Sequence, residues 1–313
     1  MKVLHVFKFE TEQKIFDIGG VKIGGQPGQL ATVMIGSIFY HGDKVIISEE
    51  EGTFDKEKAE ENLRVEAEYS EKTGNPRIVD VCGAWPDAII KFIDFVSEKI
   101  DGPFLIDGTT GPVRIAAAKY VSEVGLSDRV VFNSISPEVK RDEIDAIKDS
   151  KIKASIILTY NSKNMTIEGK LSTLRDTPEK KGLLTTAKEA GVEKMLVDTT
   201  VLDIPDPGPI AKACYLVKKE FGLPSGAGVH NAVDRWVSRK KQEHLAYRIN
   251  NAVAHVTPII MGANFLLYGP GKRAPEIYPA CALADAYVSY SMRQEYGIRP
   301  LFNDHPIFKV FRS

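Results

Sequence analysis

The stretch "PFLIDGTTG" (103–111), together with the segment "PVRIAAAKYVSEVG" (112–125) that follows it, is the clearest indication of the fold class. Its first residues are apolar, which is typical of a strand buried on both faces of a parallel sheet, and the run stops at Asp107. The second segment has the composition of a helix. A buried and unpaired carboxylate is costly, so Asp107 either has a partner or ends its strand at a cleft.

The same strand–helix alternation occurs eight times along the chain, which favours an α/β fold of the (β/α)₈ TIM-barrel type. The competing doubly wound sheet usually has a Gly-rich first turn, which "IGSIFYHGD" (35–43) lacks. The predicted strands lie at 32–40, 77–83, 104–110, 129–136, 154–161, 194–200, 225–233 and 258–269. The predicted helices lie at 55–74, 86–100, 112–125, 138–150, 176–190, 207–222, 237–256 and 275–297.

No shift in composition divides the chain, so we expect a single domain over residues 1–313. Residues 1–30 form an N-terminal extension, predicted as a β-hairpin because Gly19-Gly20 stands between two apolar runs. The glycines of this segment match neither the dinucleotide-binding nor the P-loop spacing.

Composition excludes several classes of protein. The 313 residues include 41 basic and 42 acidic side chains, so the charge balance gives no reason to expect nucleic acid or an anionic membrane as a partner. Three cysteines stand far apart with no CxxC pair, which favours a reducing compartment. The N-terminus turns charged too early for a signal peptide, and no apolar run is long enough to span a bilayer. We therefore expect a soluble, cytoplasmic protein.

Polar residues at the ends of the predicted strands are the candidate functional groups, because catalytic groups of such barrels lie there. Three of the following helices have a separate candidate N-cap further downstream, at Thr110, Ser136 and Asp206. Asp107, Asn133 and Asp198 are therefore available for another role. Asn231 occupies a comparable position. For Asp80 a functional role and a structural one, hydrogen bonding to neighbouring strand ends, explain the sequence equally well.

Two inward-facing carboxylates and two amides suit a flat heterocycle with an amino-amide edge, because carboxylates accept paired N–H groups and amides both donate and accept. A metal site fits less well, since the six histidines show no paired ligand spacing, and we expect no bound metal. A nucleophilic serine is also disfavoured, because Ser37, Ser134 and Ser225 do not stand in a GxSxG elbow.

The motifs "FLIDGTT", "VFNSIS", "LVDTT" and "GAGVHNA", in this order, resemble those of pterin-binding barrel methyltransferases. The segments "FKFETEQKIFDIGGVKIGGQPG", "IGSIFYHGDK" and "GNPRIVDVCG" resemble the family of the H subunit of tetrahydromethanopterin S-methyltransferase. The resemblance extends equally to the soluble methylcorrinoid:tetrahydrofolate methyltransferases of glycine betaine metabolism, and it covers essentially the whole chain.

This resemblance implies roles for individual residues. Asp107 and Asp198 would bind the amino-pyrimidinone edge of a reduced pterin, and Asn133 would add a hydrogen bond. Asp80 and Ser225 would line the same pocket. Asn231 would lie near N5, the atom that exchanges the methyl group, and is the expected catalytic residue.

The resemblance also implies the reaction and its partners. A methyl group would pass between a methylcorrinoid, such as methylcobalamin, and N5 of the pterin, with tetrahydrofolate the expected substrate and tetrahydromethanopterin the alternative. A separate corrinoid protein would supply the corrinoid, because the DxHxxG motif of such proteins is absent here. A homodimer is the expected assembly, without direct membrane insertion.

Three alternatives remain open. The first is a component of a membrane methyltransferase complex that binds no pterin itself, or that is specific for tetrahydromethanopterin. The second is an enzyme similar to dihydropteroate synthase, suggested by "VSRKK" (237–241). The third is a phosphosugar enzyme, in which "YGPGKRAPE" (268–276) would bind an anion rather than form a turn.

Overall fold

The chain folds into an eight-stranded barrel. The structure is a computed structural model, and it describes residues 7–203, 205–235 and 243–311. Its strands are β1 (Ile15–Ile18), β2 (Val21–Gly24), β3 (Val33–Ile38), β4 (Ile46–Ser48), β5 (Thr53–Phe54), β6 (Arg77–Gly83), β7 (Phe104–Gly108), β8 (Val130–Ile135), β9 (Ala154–Leu158), β10 (Lys194–Asp198), β11 (Ser225–Ala227) and β12 (Phe265–Pro270). Its helices are α1 (Lys56–Thr73), α2 (Pro86–Lys99), α3 (Gly111–Glu123), α4 (Arg141–Ser150), α5 (Ile167–Ser172), α6 (Leu183–Glu189), α7 (Pro207–Phe221), α8 (His230–Asp234), α9 (His244–Ile260), α10 (Ala274–Tyr296) and α11 (Pro306–Val310).

The barrel confirms the predicted (β/α)₈ fold. Eight strands pair in parallel in the order β3, β6, β7, β8, β9, β10, β11 and β12, and β12 closes the barrel onto β3. Helices cover the outside, and apolar side chains of both layers are fully buried between them. Because all eight strands run in the same direction, their carboxyl ends meet at one mouth.

The predicted N-terminal hairpin is confirmed, and it closes the opposite end of the barrel. β1 pairs with β2 in antiparallel orientation through a turn at Gly19-Gly20. Ile18 and Ile23 are fully buried and pack with the innermost barrel residues, such as Leu105. The hairpin therefore removes one entrance to the barrel interior.

A fully buried lysine, Lys218 on α7, fixes the end of the barrel that the hairpin closes. Its Nζ donates to the carbonyl of Gly25 at 2.9 Å and to Oδ1 of Asn264 at 2.7 Å. Burial lowers the pKa of Lys218 to about 7. The predicted start of the eighth strand at 258 was wrong: residues 258–260 form the last turn of α9, and β12 begins only at Phe265, directly after Asn264.

Two small elements were not foreseen. β4 and β5 form a second antiparallel hairpin between β3 and α1. The short helix α5 lies in the long connection between β9 and α6. Among the residues that the structure describes, no helix is both long and apolar enough to cross a membrane.

Candidate active site

The barrel mouth brings together the polar strand ends of β6, β7 and β8. Asp107 on β7 stands directly opposite Cys82 on β6 and Asn133 on β8. Residues paired across parallel strands point to the same side of the sheet, and so does Asp80, two positions before Cys82. Here that side is the barrel interior, since Asp80, Cys82, Asp107 and Asn133 all line one cavity.

This cavity opens at the carboxyl ends of the strands and has a volume of about 590 Å³, within the range of small-molecule sites. It collects five of the six predicted site residues: Asp80, Asp107, Asn133, Asp198 and Asn231. It also includes side chains that were not among the predicted site residues: Tyr40, His41, Cys82, Arg114 and His230.

Ser225, the sixth predicted residue, is not at the cavity. It starts β11, is fully buried, and donates its hydroxyl to the carbonyl of Cys214 on α7 at 3.0 Å. The prediction placed this serine at the pterin pocket, although the predicted strand, 225–233, already started with it. In the structure β11 also begins at Ser225, so the side chain bonds to a helix outside the barrel.

Asp80 and Asp107 form a close carboxyl pair. Burial raises the pKa of both residues, and the charge of Asp80 raises the pKa of Asp107 further, well above its usual range. Asp80 Oδ2 accepts from the hydroxyl of Ser37 at 2.7 Å, whereas its buried Oδ1 has no partner in the described part of the chain. A ligand that places N–H donors against these carboxyl groups would favour their ionised forms and so oppose the rise in both pKa values.

Arg114, on α3, lies beside this pair and was missed in the sequence. Its Nη1 donates to the carbonyl of Gly108 at 2.7 Å, and its Nε and Nη2 both donate to Oε1 of Glu143 at 2.8 and 2.6 Å. Its positive charge opposes the rise in the pKa of Asp107. Arg114 holds the end of β7 in place, a role that no local sequence pattern indicates.

Asp198, at the end of β10, enters the cavity from the other side. Its side chain is 6% exposed, and burial raises its pKa to about 6. Oδ1 accepts from the amide of Thr200 at 2.7 Å, and the backbone carbonyl of Asp198 accepts from the hydroxyl of Thr159 at 3.0 Å. The bond from Thr200, in the loop that follows β10, thus fixes Oδ1 and with it the direction in which Oδ2 points.

Two of the three predicted helix caps are confirmed, and only in position. Thr110 and Asp206 do occupy the N-cap positions of α3 and α7, but neither side chain accepts from its helix. Asp206 Oδ2 instead accepts from the amides of Leu202 and Asp203. The cap at Ser136 was wrong, because a turn intervenes and α4 begins at Arg141.

Asn231 lies in α8, directly after the loop that follows β11, and its side chain is exposed at the cavity. The neighbouring His230 packs against Gly269, where a Cβ atom would come within 2.3 Å of the imidazole ring. Arg273 Nη1 lies 3.4 Å from His230 Nδ1. Residues Gly271–Arg273 form a short 3₁₀ turn before α10, consistent with the turn interpretation of this segment.

A group of ligand-type atoms within the site was not foreseen. Atoms of Asp80, Cys82 and Asp107 that could bind a metal lie within 4.8 Å of one another. Burial raises the pKa of the Cys82 thiol well above its ordinary value, which disfavours the thiolate that metals bind. The absence of a bound metal stays a prediction, and these three residues are where it is best tested.

The segment 237–241, which suggested the dihydropteroate synthase alternative, lies outside the described residues. Just before it, Arg235 Nη1 donates to the carbonyl of Leu202 at 2.6 Å. This bond joins the end of α8 to the loop that follows β10.

In a comparison with protein families, residues 11–301 match the model of the "Tetrahydromethanopterin S-methyltransferase MtrH subunit". The H subunit of the tetrahydromethanopterin S-methyltransferase of Methanothermobacter thermautotrophicus is 40% identical over 311 residues, covering 97% of this chain and 100% of the relative. The H subunit of the putative methyltransferase mtx of Methanosarcina barkeri is 37% identical over 308 residues, covering 96% and 99%.

Solved structures with a similar fold include dihydropteroate synthases. That of Xanthomonas albilineans has a TM-score of 0.56 at 15% identity and covers 91% of this chain and 99% of its own. That of Yersinia pestis has a TM-score of 0.59 at 12% identity, covering 87% and 98%. At this identity the likeness concerns the barrel fold alone.

Proposed function

This chain belongs to the MtrH family of tetrahydromethanopterin S-methyltransferase subunits and is a methyltransferase, and we propose that its barrel mouth binds a tetrahydropterin and exchanges a methyl group at N5. The methyl group moves between N5 and a methylcorrinoid carried by a separate protein. The observation that carries this proposal is that Asp80, Asp107, Asn133, Asp198 and Asn231, which come from five separate segments, line one cavity.

The pyrimidine edge of a pterin presents adjacent N–H donors, which match carboxylates. Asp107 and Asp198 accept these donors in the proposed complex, and Asn133, opposite Asp107 in register, adds a further hydrogen bond. Asp80 is the neighbour that sets the protonation of Asp107. Since pterin N–H groups bind the ionised form, pterin binding opposes the raised pKa of Asp107.

In the proposed displacement, N5 would bond to the methyl carbon, the cobalt–carbon bond of the methylcorrinoid would break with its electron pair left on the cobalt, and N5 would lose its proton to solvent. The reaction needs in-line positioning and stabilisation of charge on the pterin ring, and no protein nucleophile. Asn231 suits this role because its amide both donates and accepts, so it can follow the change at N5. A carboxylate at that position would instead favour the protonated, non-nucleophilic N5.

The sequence and the relatives favour different pterins as the substrate. The sequence alone led us to expect tetrahydrofolate, whereas relatives named for tetrahydromethanopterin, at 34–40% identity, support that pterin as the substrate. Both molecules share the edge that the aspartates would bind. We therefore take tetrahydromethanopterin as the first substrate to test and tetrahydrofolate as the second.

The partner and assembly complete the proposal. The relatives are named as one subunit of a methyltransferase, which supports a protein partner for this chain. In our proposal that partner carries the corrinoid and docks over the open mouth. We further propose that residues 1–313 form one domain and that the chain assembles as a homodimer.

The experiment is calorimetric titration of each reduced pterin into the purified protein and into the Asp107→Asn variant. We expect the variant to bind the pterin at least tenfold more weakly, because a neutral amide turned toward N–H donors leaves one of them unpaired. Asp149→Asn, at an exposed position on α4, is the matched control and should bind as the wild type does. Failure of the wild type to bind either pterin would remove the proposal and favour a non-catalytic subunit.

A further inference from the structure

Lys170 is a buried lysine close to the candidate site, and the proposed reaction gives it no role. It lies in α5, in the connection between β9 and α6, and its side chain is 3% exposed. Its Nζ donates to the backbone carbonyl of Thr200 at 2.6 Å. An ammonium group buried to this extent is costly unless its charge is offset, so its surroundings must supply that offset.

The compensating charges come from the loop that carries Asp198. Burial lowers the pKa of Lys170, and the carboxylates of Asp206 and Asp198, in that order, oppose the effect. In the other direction, Lys170 is the charged group that opposes the rise in the pKa of Asp198. Cys214 on α7 also faces Asp198, and Asp107 and His230 line the same cavity.

The hydrogen bonds continue from Lys170 to Asp198 without a break. Lys170 holds the carbonyl of Thr200, while the amide of Thr200 holds Oδ1 of Asp198 at 2.7 Å. Thr200 has a φ of 55°, in the left-handed region that threonine rarely adopts, so the loop needs contacts that keep it there. The hydroxyl of Thr200 is buried without a partner in the described chain and supplies no such contact.

The position of Lys170 is itself fixed by the connection in which it lies. Asn161 Nδ2 donates to the carbonyl of Gly169 at 2.8 Å, and Thr166 Oγ1 accepts from the amide of Gly169 at 3.1 Å. These two bonds hold the residue immediately before Lys170. These bonds therefore fix the backbone from which the Lys170 side chain reaches the loop that follows β10, here called the Thr200 loop.

We propose that Lys170 is a positioning residue that fixes the Thr200 loop and so aims the carboxylate of Asp198 into the barrel mouth. It acts through Asp198 and does not contact the substrate. The inference rests on the proposed function only where it concerns the pterin, since the link between Lys170 and Asp198 can be measured without a ligand.

Two variants separate the charge of Lys170 from its hydrogen bond. Lys170→Gln keeps a donor for the Thr200 carbonyl but removes the charge, whereas Lys170→Met removes both. Lys218→Met is the matched control, because Lys218 is an equally buried lysine bound to a backbone carbonyl at the far end of the barrel. Any effect common to all buried lysines would appear in this control as well.

The first measurement is the pH titration of the Asp198 carboxyl group in ligand-free protein. It is observed by carboxyl ¹³C NMR with labelled aspartate, and the Asp198 signal is assigned by its absence in Asp198→Asn. Loss of a nearby positive charge favours the neutral carboxyl, so we expect the midpoint to rise by about one pH unit in Lys170→Gln and Lys170→Met. In Lys218→Met it should not move. An unchanged midpoint in Lys170→Gln, which preserves the hydrogen bond and is expected to fold, would overturn the inference.

The second measurement is the affinity for the reduced pterin at pH 7.5. We expect about a tenfold loss in Lys170→Met, a smaller loss in Lys170→Gln, and no change in Lys218→Met. If the wild type binds no pterin but the Asp198 midpoint moves as expected, the proposed function fails and the link stands. If the wild type binds but all variants bind equally well, the positioning role is refuted.

Discussion

Asp198→Asn should stabilise the ligand-free protein at neutral pH while weakening its binding of the pterin. The carboxylate is almost fully buried, and burial raises its pKa from 3.8 to about 6. Above pH 6 the Asp198 carboxyl group is ionised in the folded chain, and its buried charge lowers the free energy of unfolding. The amide of asparagine carries no charge, and its oxygen can still accept from the amide of Thr200.

The magnitude follows from the size of the pKa shift. A rise of about two units corresponds to about 3 kcal/mol between the ionised and the neutral form. Between pH 3.8 and about 6 the folded state binds more protons at this group than the unfolded state does. The free energy of unfolding of the wild type therefore falls as pH rises through this window, and the contribution is constant above it.

The assay is urea denaturation of wild type and variant at pH 4, 5, 6 and 7.5 without ligand. We expect the gain of Asp198→Asn over the wild type to grow from near zero at pH 4 to about 3 kcal/mol at pH 7.5. Asp101→Asn, at an exposed position near the other end of the barrel, should give no such trend. Parallel stability curves for wild type and Asp198→Asn would contradict this expectation, since the carboxyl group would then titrate alike in the folded and unfolded states.

Three further predictions concern the reaction. Asn231→Ala should lower the single-turnover rate of methyl transfer from methylcobalamin by about 10²-fold while pterin affinity falls much less, because the Asn231 hydrogen bond strengthens at the transition state. Equal losses of rate and affinity would show that Asn231 only binds the pterin. In the wild type, pterin affinity should rise with pH as Asp107, whose pKa is raised by burial and by the charge of Asp80, becomes ionised, and calorimetry across pH should find a flatter dependence in Asp80→Asn. Activity should survive treatment with a strong chelator; a loss that zinc restores would instead identify Asp80, Cys82 and Asp107 as a metal site.

The alternation of apolar runs with helical segments was sufficient to predict the barrel, because each parallel strand is buried on both faces and so needs a continuous apolar sequence. The Gly19-Gly20 turn likewise predicted the N-terminal hairpin. Asp107, Asn133 and Asp198 were found for the same reason: each polar residue ends an apolar run, and all parallel strands end at one mouth.

Strand boundaries were less predictable. The predicted eighth strand, 258–269, includes Asn264, whereas β12 begins only at Phe265, so Asn264 lies on the far side of the barrel from the mouth. A continuous apolar run has no period that marks where its strand begins, so this boundary had no signal in the sequence. Ser225 was predicted as the first residue of its strand, which is confirmed, and this position at the start of β11 keeps it away from the mouth. The cap expected at Ser136 failed similarly, because a turn precedes the helix.

The polar side chains that end the strands could be identified from the sequence, since that information lies in a few neighbouring residues. Their environment could not: the folded chain places carboxyl oxygens of Asp80 and Asp107 within 4.8 Å of each other, puts Arg114 beside them, and bonds Lys170 to the carbonyl of Thr200. Lys170 and Thr200 are thirty positions apart and belong to different strand–helix units. Contacts of this kind depend on how the units pack around the barrel, and the free energy of burying a charge is set by that packing.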